Sequence, residues 1–544
     1  MPGFMSASSA SSDAPSPAQS TSAAKSSRVC LNCRRKKKRC DKALPSCGRC
    51  TYSLEICQHE DDAAMARSSR SPSLVDFGNF IRAGTAPMPL PVGLDPVLES
   101  LMGQQSPSRW STLNSSLFGS LDSGEDIHLF MFRSLCDTVG HRQAVEHVAA
   151  YYFNSVNYWF TIVDRASFDI QVERMWSYPS AEMALLILSM LLIIRTPNEN
   201  VISMDDGLYL SVKTAFTLVQ SKIPSSMSLM QSQLLIGLYE YSHGLPHQAY
   251  MSMGTCVQMT RSFGWHSKSF WSEDRQQLLA ADLKLSSILW WALVYVDSIL
   301  NVSYPDQKLP LSSTELDFSI PFPEAFDQYL PGNTTAGYRA WQSNADDNTE
   351  KIDTLVWPEA NSAWYLSTLL HQIHSPTNPP TAADRNSVSD AISVHTLNVM
   401  GVEWKHGTRC GAINANFIAL MKANQPYLLA GMSKPEQLNV RHVNIINSVI
   451  NSLYQTSQTI NSSLTVPQLA TTAPPATFAV YYACMLLMSH GDNVLNQPDW
   501  LHKIESFQQT LRIANRRWRI SARYLNSIDI AFNNRLGRHM SLSS

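Results

Sequence analysis

Apolar residues recur at intervals of three and four along most of this chain, from about residue 126 to 535. That interval is the period of one buried face of an α-helix. The pattern predicts helices over 142–159, 181–195, 207–221, 228–241, 247–263, 277–301, 361–374, 440–461, 476–491 and 500–532. Strand-like alternation is rare, so the body is expected to be all helix. Gly264 follows Phe263 and is a predicted helix stop, because glycine takes the left-handed closing conformation without a steric clash. Proline-containing loops are expected at 303–335, 375–380 and 466–475. No fixed-period repeat is present, which argues against a solenoid.

The last predicted helix has the cleanest stripe. Ile504, Phe507, Leu511, Ala514, Trp518, Ser521, Leu525, Ile528 and Phe532 follow one another in steps of three and four. Such a heptad seam either docks on the body or joins two chains, and docking is the favoured reading. Arg512, Arg516, Arg517, Arg519 and Arg523 fall on other faces and are read as solvated.

Periodicity fades outside the body. Residues 1–27 are Ser-, Ala- and Pro-rich and read as a disordered N-terminus. Residues 61–125 are rich in Ser, Pro and Gly and read as a flexible linker, and 536–544 as a disordered tail. Between N-terminus and linker, residues 28–60 have a different character. Of the ten cysteines, six lie here, at 30, 33, 40, 47, 50 and 57. Cys136, Cys256, Cys410 and Cys484 are scattered in apolar surroundings and read as buried thiols.

Charge sharpens the contrast. The chain has a net charge of −2, yet residues 25–50 hold ten basic residues against one acid, Asp41. A basic block on an acidic body points to a polyanion as that block's partner. No secretory leader is visible, and the longest apolar run, Ala184–Ile194, is shorter than the ~20 residues of a membrane helix. Without an export signal, clustered cysteines favour metal over disulfides, and no membrane partner is expected.

The six cysteines form two frames, Cys30-x2-Cys33-x6-Cys40 and Cys47-x2-Cys50-x6-Cys57. Thiolates suit Zn2+, and structural zinc takes four ligands in a tetrahedron. Six sulfurs complete two tetrahedra only if two of them bridge. By the pseudo-symmetry those are the first cysteines of each frame, Cys30 and Cys47. One four-cysteine zinc with two spare thiols is the simpler alternative. With only Leu44, Leu54 and Ile56 for a core, metal binding must supply the folding free energy, roughly 10 kcal/mol or more. The two x6 segments differ in chemistry. The first is Arg34-Arg35-Lys36-Lys37-Lys38-Arg39, and the second is Thr51-Tyr-Ser-Leu-Glu-Ile56. Only the first suits phosphates and the O6 and N7 acceptors of guanine in the major groove.

This cysteine frame, with Pro45 before Cys47, resembles the fungal zinc binuclear cluster transcription factors. The resemblance implies two Zn2+ per chain and a short helix from Cys33 to Cys40 entering the major groove of double-stranded DNA. It implies that Lys36 and Lys37 read a CGG-type triplet, while Arg34, Arg35, Lys38 and Arg39 touch phosphates. It further implies nuclear localisation and engagement of the transcription machinery of RNA polymerase II. In the body, Tyr151–Phe168, Gly237–Gly244 with Ala249–His266, and Trp290–Asp297 are similar to the middle homology region of that family. By analogy, members of this build control metabolic or secondary-metabolite gene clusters. Many relatives dimerise through a coiled coil after the cluster, but Gln58–Ser71 contains no heptads. A homodimer formed otherwise, and monomer binding, both stay open.

The expected fold is therefore mostly α: a zinc-stabilised DNA-binding module, a flexible linker and a large all-α regulatory domain. A small-molecule effector pocket lined by Trp290, Trp291, Tyr295 or His243 is the minority reading beside plain core packing. Zinc-dependent protein interaction without DNA is another alternative. No H-E-x-x-H, G-x-S-x-G, phosphate-binding or dinucleotide-binding motif is present, so an enzyme is not expected. His243-Gly-Leu-Pro-His247 reads as a turn rather than a ligand helix, and the His371/His374 pair lacks a third ligand and reads as structural.

Overall fold

The computed structural model describes residues 29, 33–34, 36–42, 126–197, 203–271, 280–304, 309–313, 320, 358–374, 381–401, 409–433, 440–463 and 469–542. The expected N-terminal segment 1–27, the linker 61–125 and the loop 375–380 lie outside these. The chain divides into two compact units, Met1–Ser73 and Leu74–Ser544.

In the second unit, all regular structure among the described residues is helical. The helices are α1 (Ile127–Thr138), α2 (Arg142–Phe153), α3 (Arg165–Met175), α4 (Ala181–Ile194), α5 (Gly207–Lys222), α6 (Met227–Ser242), α7 (Pro246–Phe263) and α8 (Ala280–Ser303). They continue as α9 (Pro358–His374), α10 (Ala382–Gly401), α11 (Cys410–Ser433), α12 (Val440–Ser463), α13 (Pro475–His490), α14 (Trp500–Ala514) and α15 (Ile520–Leu542).

Two helices act as hubs. Every residue of α4 except Glu182 is buried, as expected of a helix apolar on all sides. It packs on α1, α2, α3, α5 and α6. Helix α11 packs on α9, α10, α12 and α13. Between the hubs, α8 contacts α6, α7 and α9. Residues Asp282–Ser303 are long and apolar enough to cross a membrane, but 94% of the apolar 18-residue window within that stretch is buried inside the body, which makes it a core helix. One hydrophobic cluster runs from Phe130 to Ile528.

Local signals start these helices. Asp126, Asp164, Ser180, Asp206 and Ser226 each accept a main-chain N–H of the first turn of the helix they precede, offsetting the unpaired donors there. Pro246 opens α7, where a missing N–H costs nothing. Gly264 closes α7 at φ +81°, as the sequence predicts.

The structure departs from the sequence pattern in three places. The predicted helix 142–159 stops at Phe153. Asn157 then donates to the Val163 carbonyl at 3.0 Å and accepts from the Tyr152 hydroxyl at 3.2 Å, holding a turn that competes with helix. The predicted helix 500–532 is two helices with a turn at 515–519, and α15 continues to Leu542, past the boundary set at 535. Helices α1, α3, α10 and α11 lie within the region read as all helix, outside the spans named for it. Helix α3 buries only Phe168, Val172 and Met175, and α11 holds Pro426 in its interior, a residue that normally marks a break.

The C-terminal stripe docks on the body. Ile504, Phe507, Leu511, Ala514, Trp518, Ser521 and Ile528 are buried, and Leu525 and Phe532 half-buried. Arg512, Arg516 and Arg523 are exposed, whereas Arg517 is 1% exposed, which corrects its reading as solvated.

Candidate metal centre and nucleic-acid interface

In the first unit, Cys33 and Arg34 form a helical turn, and Cys33 is 2% exposed. Lys36, Lys37, Lys38 and Arg39 are exposed, and Cys40 is half-buried. The segment thus turns thiols inward and cations outward. Cys30, Cys47, Cys50, Cys57 and Arg35 lie outside the described residues.

The helix implied from Cys33 to Cys40 does not form in full. It ends before Lys37, whose φ is +50°. The Lys37 N–H donates to the Arg34 carbonyl at 3.1 Å, and the Lys38 N–H donates to the Cys33 carbonyl at 2.9 Å. This pair of bonds around a left-handed residue is a helix C-cap. Lys42 is also left-handed, at φ +61°, so such a residue stands on each side of Cys40.

The donor set fits zinc. Six thiols in a repeated frame are soft ligands of the kind Zn2+ prefers. The module has few apolar residues in its sequence, so metal bound by these thiols would supply its folding free energy. Two Zn2+ and six thiolates carry about −2, which leaves the module cationic.

The body offers different chemistry. Trp290, Trp291, Tyr295 and His243 are each nearly fully buried. His243 packs between the rings of Tyr239 and Trp518, at 4.4 and 5.8 Å. Burial, and then the guanidinium of Arg517, hold its pKa well below the ordinary histidine value. His371 Nδ1 bonds the Ser367 carbonyl one turn back at 2.8 Å, a structural role. A cavity of about 460 Å³ opens elsewhere, between α3, α4, α6 and α8, lined by Phe168, Gln171, Met183, Met227, Gln231 and Leu285 among others.

Sequence reasoning missed several buried polar ties. Glu240 is fully buried and accepts from Tyr209 at 2.8 Å, Lys213 at 2.7 Å and Ser252 at 2.5 Å, joining α5, α6 and α7. Arg195 pairs with Asp206, and Arg517 bonds main-chain carbonyls. These residues are ordinary polar positions in the sequence, with no motif to mark them.

Residues 28–66 match the fungal Zn(2)-Cys(6) binuclear cluster domain, and residues 149–356 match the fungal specific transcription factor domain. Over 132 residues the chain is 24% identical to Transcription factor BOA15 of Botryotinia fuckeliana (strain B05.10), an alignment covering 24% of this chain and 73% of that protein. The cluster domain binds two zinc ions. Both domain types belong to regulators rather than enzymes. With the paired cysteine frames, the exposed basic segment and the all-helical body, the chain carries both domain types of the fungal zinc binuclear cluster transcription factors, which supports a role in DNA-binding transcription regulation.

Proposed function

We propose that the chain acts in the nucleus on RNA polymerase II promoters and reads CGG-type triplets in the major groove. Lys36 and Lys37 contact bases, and Arg34, Arg35, Lys38 and Arg39 contact phosphates. Cys30 and Cys47 bridge the two zincs. The observation that carries this reading is the run of exposed cations, Lys36 to Arg39, that begins three residues after the buried Cys33. The genes controlled belong to a metabolic or secondary-metabolite cluster. Contact with the transcription machinery falls to the helical body.

The test is a random-oligonucleotide selection on the full-length protein, with zinc measured by elemental analysis on the same sample. Two zincs and an enriched CGG-type triplet are expected. One triplet per selected site indicates a monomer, and two at fixed spacing a homodimer. Retention of two zincs without any enriched sequence overturns the base-reading assignment and favours a zinc-dependent protein-interaction module.

The cavity between α3, α4, α6 and α8 supports a second reading, in which the body responds to a small-molecule effector. Its volume is in the range of ligand pockets. A ligand that binds there raises the thermal stability of the body, with the logarithm of its concentration once that exceeds its Kd. A Gln231→Leu variant should lose that shift; an unchanged shift places the ligand elsewhere.

A further inference from the structure

Three helix ends in this protein share one hydrogen-bond pattern. At the end of α6, the Gly244 N–H donates to Tyr241 at 3.1 Å and the Leu245 N–H to Glu240 at 2.8 Å. At the end of α7, the Gly264 N–H donates to Arg261 and the Trp265 N–H to Thr260, both at 3.0 Å. Gly244 and Gly264 have φ values of +79° and +81°, where glycine alone is unstrained. The third end is in the cysteine module, where Lys37 at φ +50° occupies the same place.

Helix geometry explains why a stop is needed there. Cys33 and Cys40 are seven residues apart, which an unbroken α-helix stretches to ~10.5 Å between Cα atoms. With Cys30 and Cys47 bridging, the other two thiolates of each frame fall to one metal, so Cys33 and Cys40 would share a zinc; two thiolates on one tetrahedral zinc, each about 2.3 Å from the metal, lie roughly 4 Å apart. One-carbon side chains at both ends are too short to make up the difference. A left-handed residue between them ends the helix and redirects the chain. A lysine at that position keeps a cation where glycine would be the less strained choice.

We propose that Lys37 is a positioning residue for the zinc cluster. Its left-handed backbone, not its side chain, turns Cys40 back toward the metal that Cys33 holds. The side chain is then available for DNA, so one position carries two separable roles. The inference goes beyond the base-reading role and does not depend on it.

The experiment uses the full-length protein and four variants: Lys37→Gly, Lys37→Asn, Lys37→Val and, as a control, Lys36→Val. Zinc release to a chromogenic chelator is followed over time, together with zinc per chain. Glycine and asparagine tolerate the left-handed region, and a β-branched residue does not. Lys37→Gly and Lys37→Asn should keep two zincs and release them no faster than wild type. Lys37→Val should release zinc at least tenfold faster, and Lys36→Val, one residue earlier and not left-handed, within about threefold of wild type. The proposal is overturned if Lys37→Val holds zinc as wild type does. It is equally overturned if Lys37→Gly releases zinc as fast as Lys37→Val, or if Lys36→Val matches Lys37→Val.

Discussion

The guanidinium of Arg517 donates to the main-chain carbonyl of Ile193 at 2.6 Å, across 324 residues of sequence. It also donates to the carbonyl of Arg195 at 2.9 Å and lies 3.7 Å from the Trp518 ring. Carbonyls at a helix C-terminus are unpaired and carry partial negative charge. Burial lowers the Arg517 pKa to about 10, so it stays charged at neutral pH. Arg195 in turn pairs with Asp206, the N-cap of α5. The end of α4, the start of α5 and the turn between α14 and α15 thus form one locked corner.

Removing this tie should destabilise the body. Arg517→Ala deletes two charge-assisted bonds and leaves two buried carbonyls unpaired, a loss on the order of 3 kcal/mol. Arg516→Ala, at an exposed neighbour, should change stability by less than about 0.5 kcal/mol. Denaturant unfolding followed by tryptophan fluorescence compares them. Equal midpoints would show that the corner does not contribute.

Gly411 sits where a Cβ would press on two buried side chains. A Cβ there would lie 3.0 Å from the Tyr295 hydroxyl and 3.1 Å from Glu359 Oε1. Both neighbours are fully buried. Gly411→Ala should cost about 1–3 kcal/mol by overpacking. Adding Tyr295→Phe removes the hydroxyl and should restore part of the loss, read as a favourable coupling in a double-mutant cycle. Additive effects would place the strain elsewhere.

His395 is buried beside Ser362, its Nε2 3.3 Å from that hydroxyl. Burial lowers its pKa from 6.5 to about 3. The unfolded chain takes up a proton below pH 6.5 that the folded chain refuses. The stability associated with the neutral ring is therefore intact above pH 6.5 and is lost as pH falls toward 3, by up to tenfold in the unfolding equilibrium per pH unit. His395→Gln should show a shallower fall in stability between pH 6.5 and 4 than wild type. Parallel pH profiles would mean that the ring protonates in the folded state.

If Cys30 and Cys47 bridge, replacing either with alanine removes a ligand from both metals at once. Each variant should retain no zinc by elemental analysis after dialysis against a weak chelator. Retention of one zinc would refute shared ligands.

Base contacts and phosphate contacts separate by how they change specificity. Lys36→Ala should lose about 1–3 kcal/mol on a CGG-type site and relax preference at one base. Arg34→Ala should weaken binding by a similar factor on every sequence and flatten the salt dependence. Competition with shuffled oligonucleotides reads both. An equal loss on all sequences from Lys36→Ala would move Lys36 to the phosphate group.

Legibility in the sequence followed the reach of each interaction. The continuous apolar run of α4 and the stop at Gly264 depend on neighbours within a turn or two, and both were readable. The cysteine frame was readable because metal ligands have fixed spacing and few substitutes. Residues 515–519 were not, because their break depends on bonds such as that from Trp518 to the Thr472 carbonyl at 2.8 Å. Nor was the pairing of Glu240 with Lys213 and Ser252, which come from three helices.

By itself, the sequence determined that this chain carries a zinc-cysteine module with a cationic face and an all-helical body, since spacing, charge and periodicity are local properties. Only the tertiary structure decided that the first basic segment bends at Lys37, that Arg517 is a buried cap rather than a solvated charge, and that the C-terminal stripe is core. Burial depends on what a distant part of the chain places opposite a residue, and backbone carbonyls, which accept the Arg517 bonds, leave no mark in a sequence.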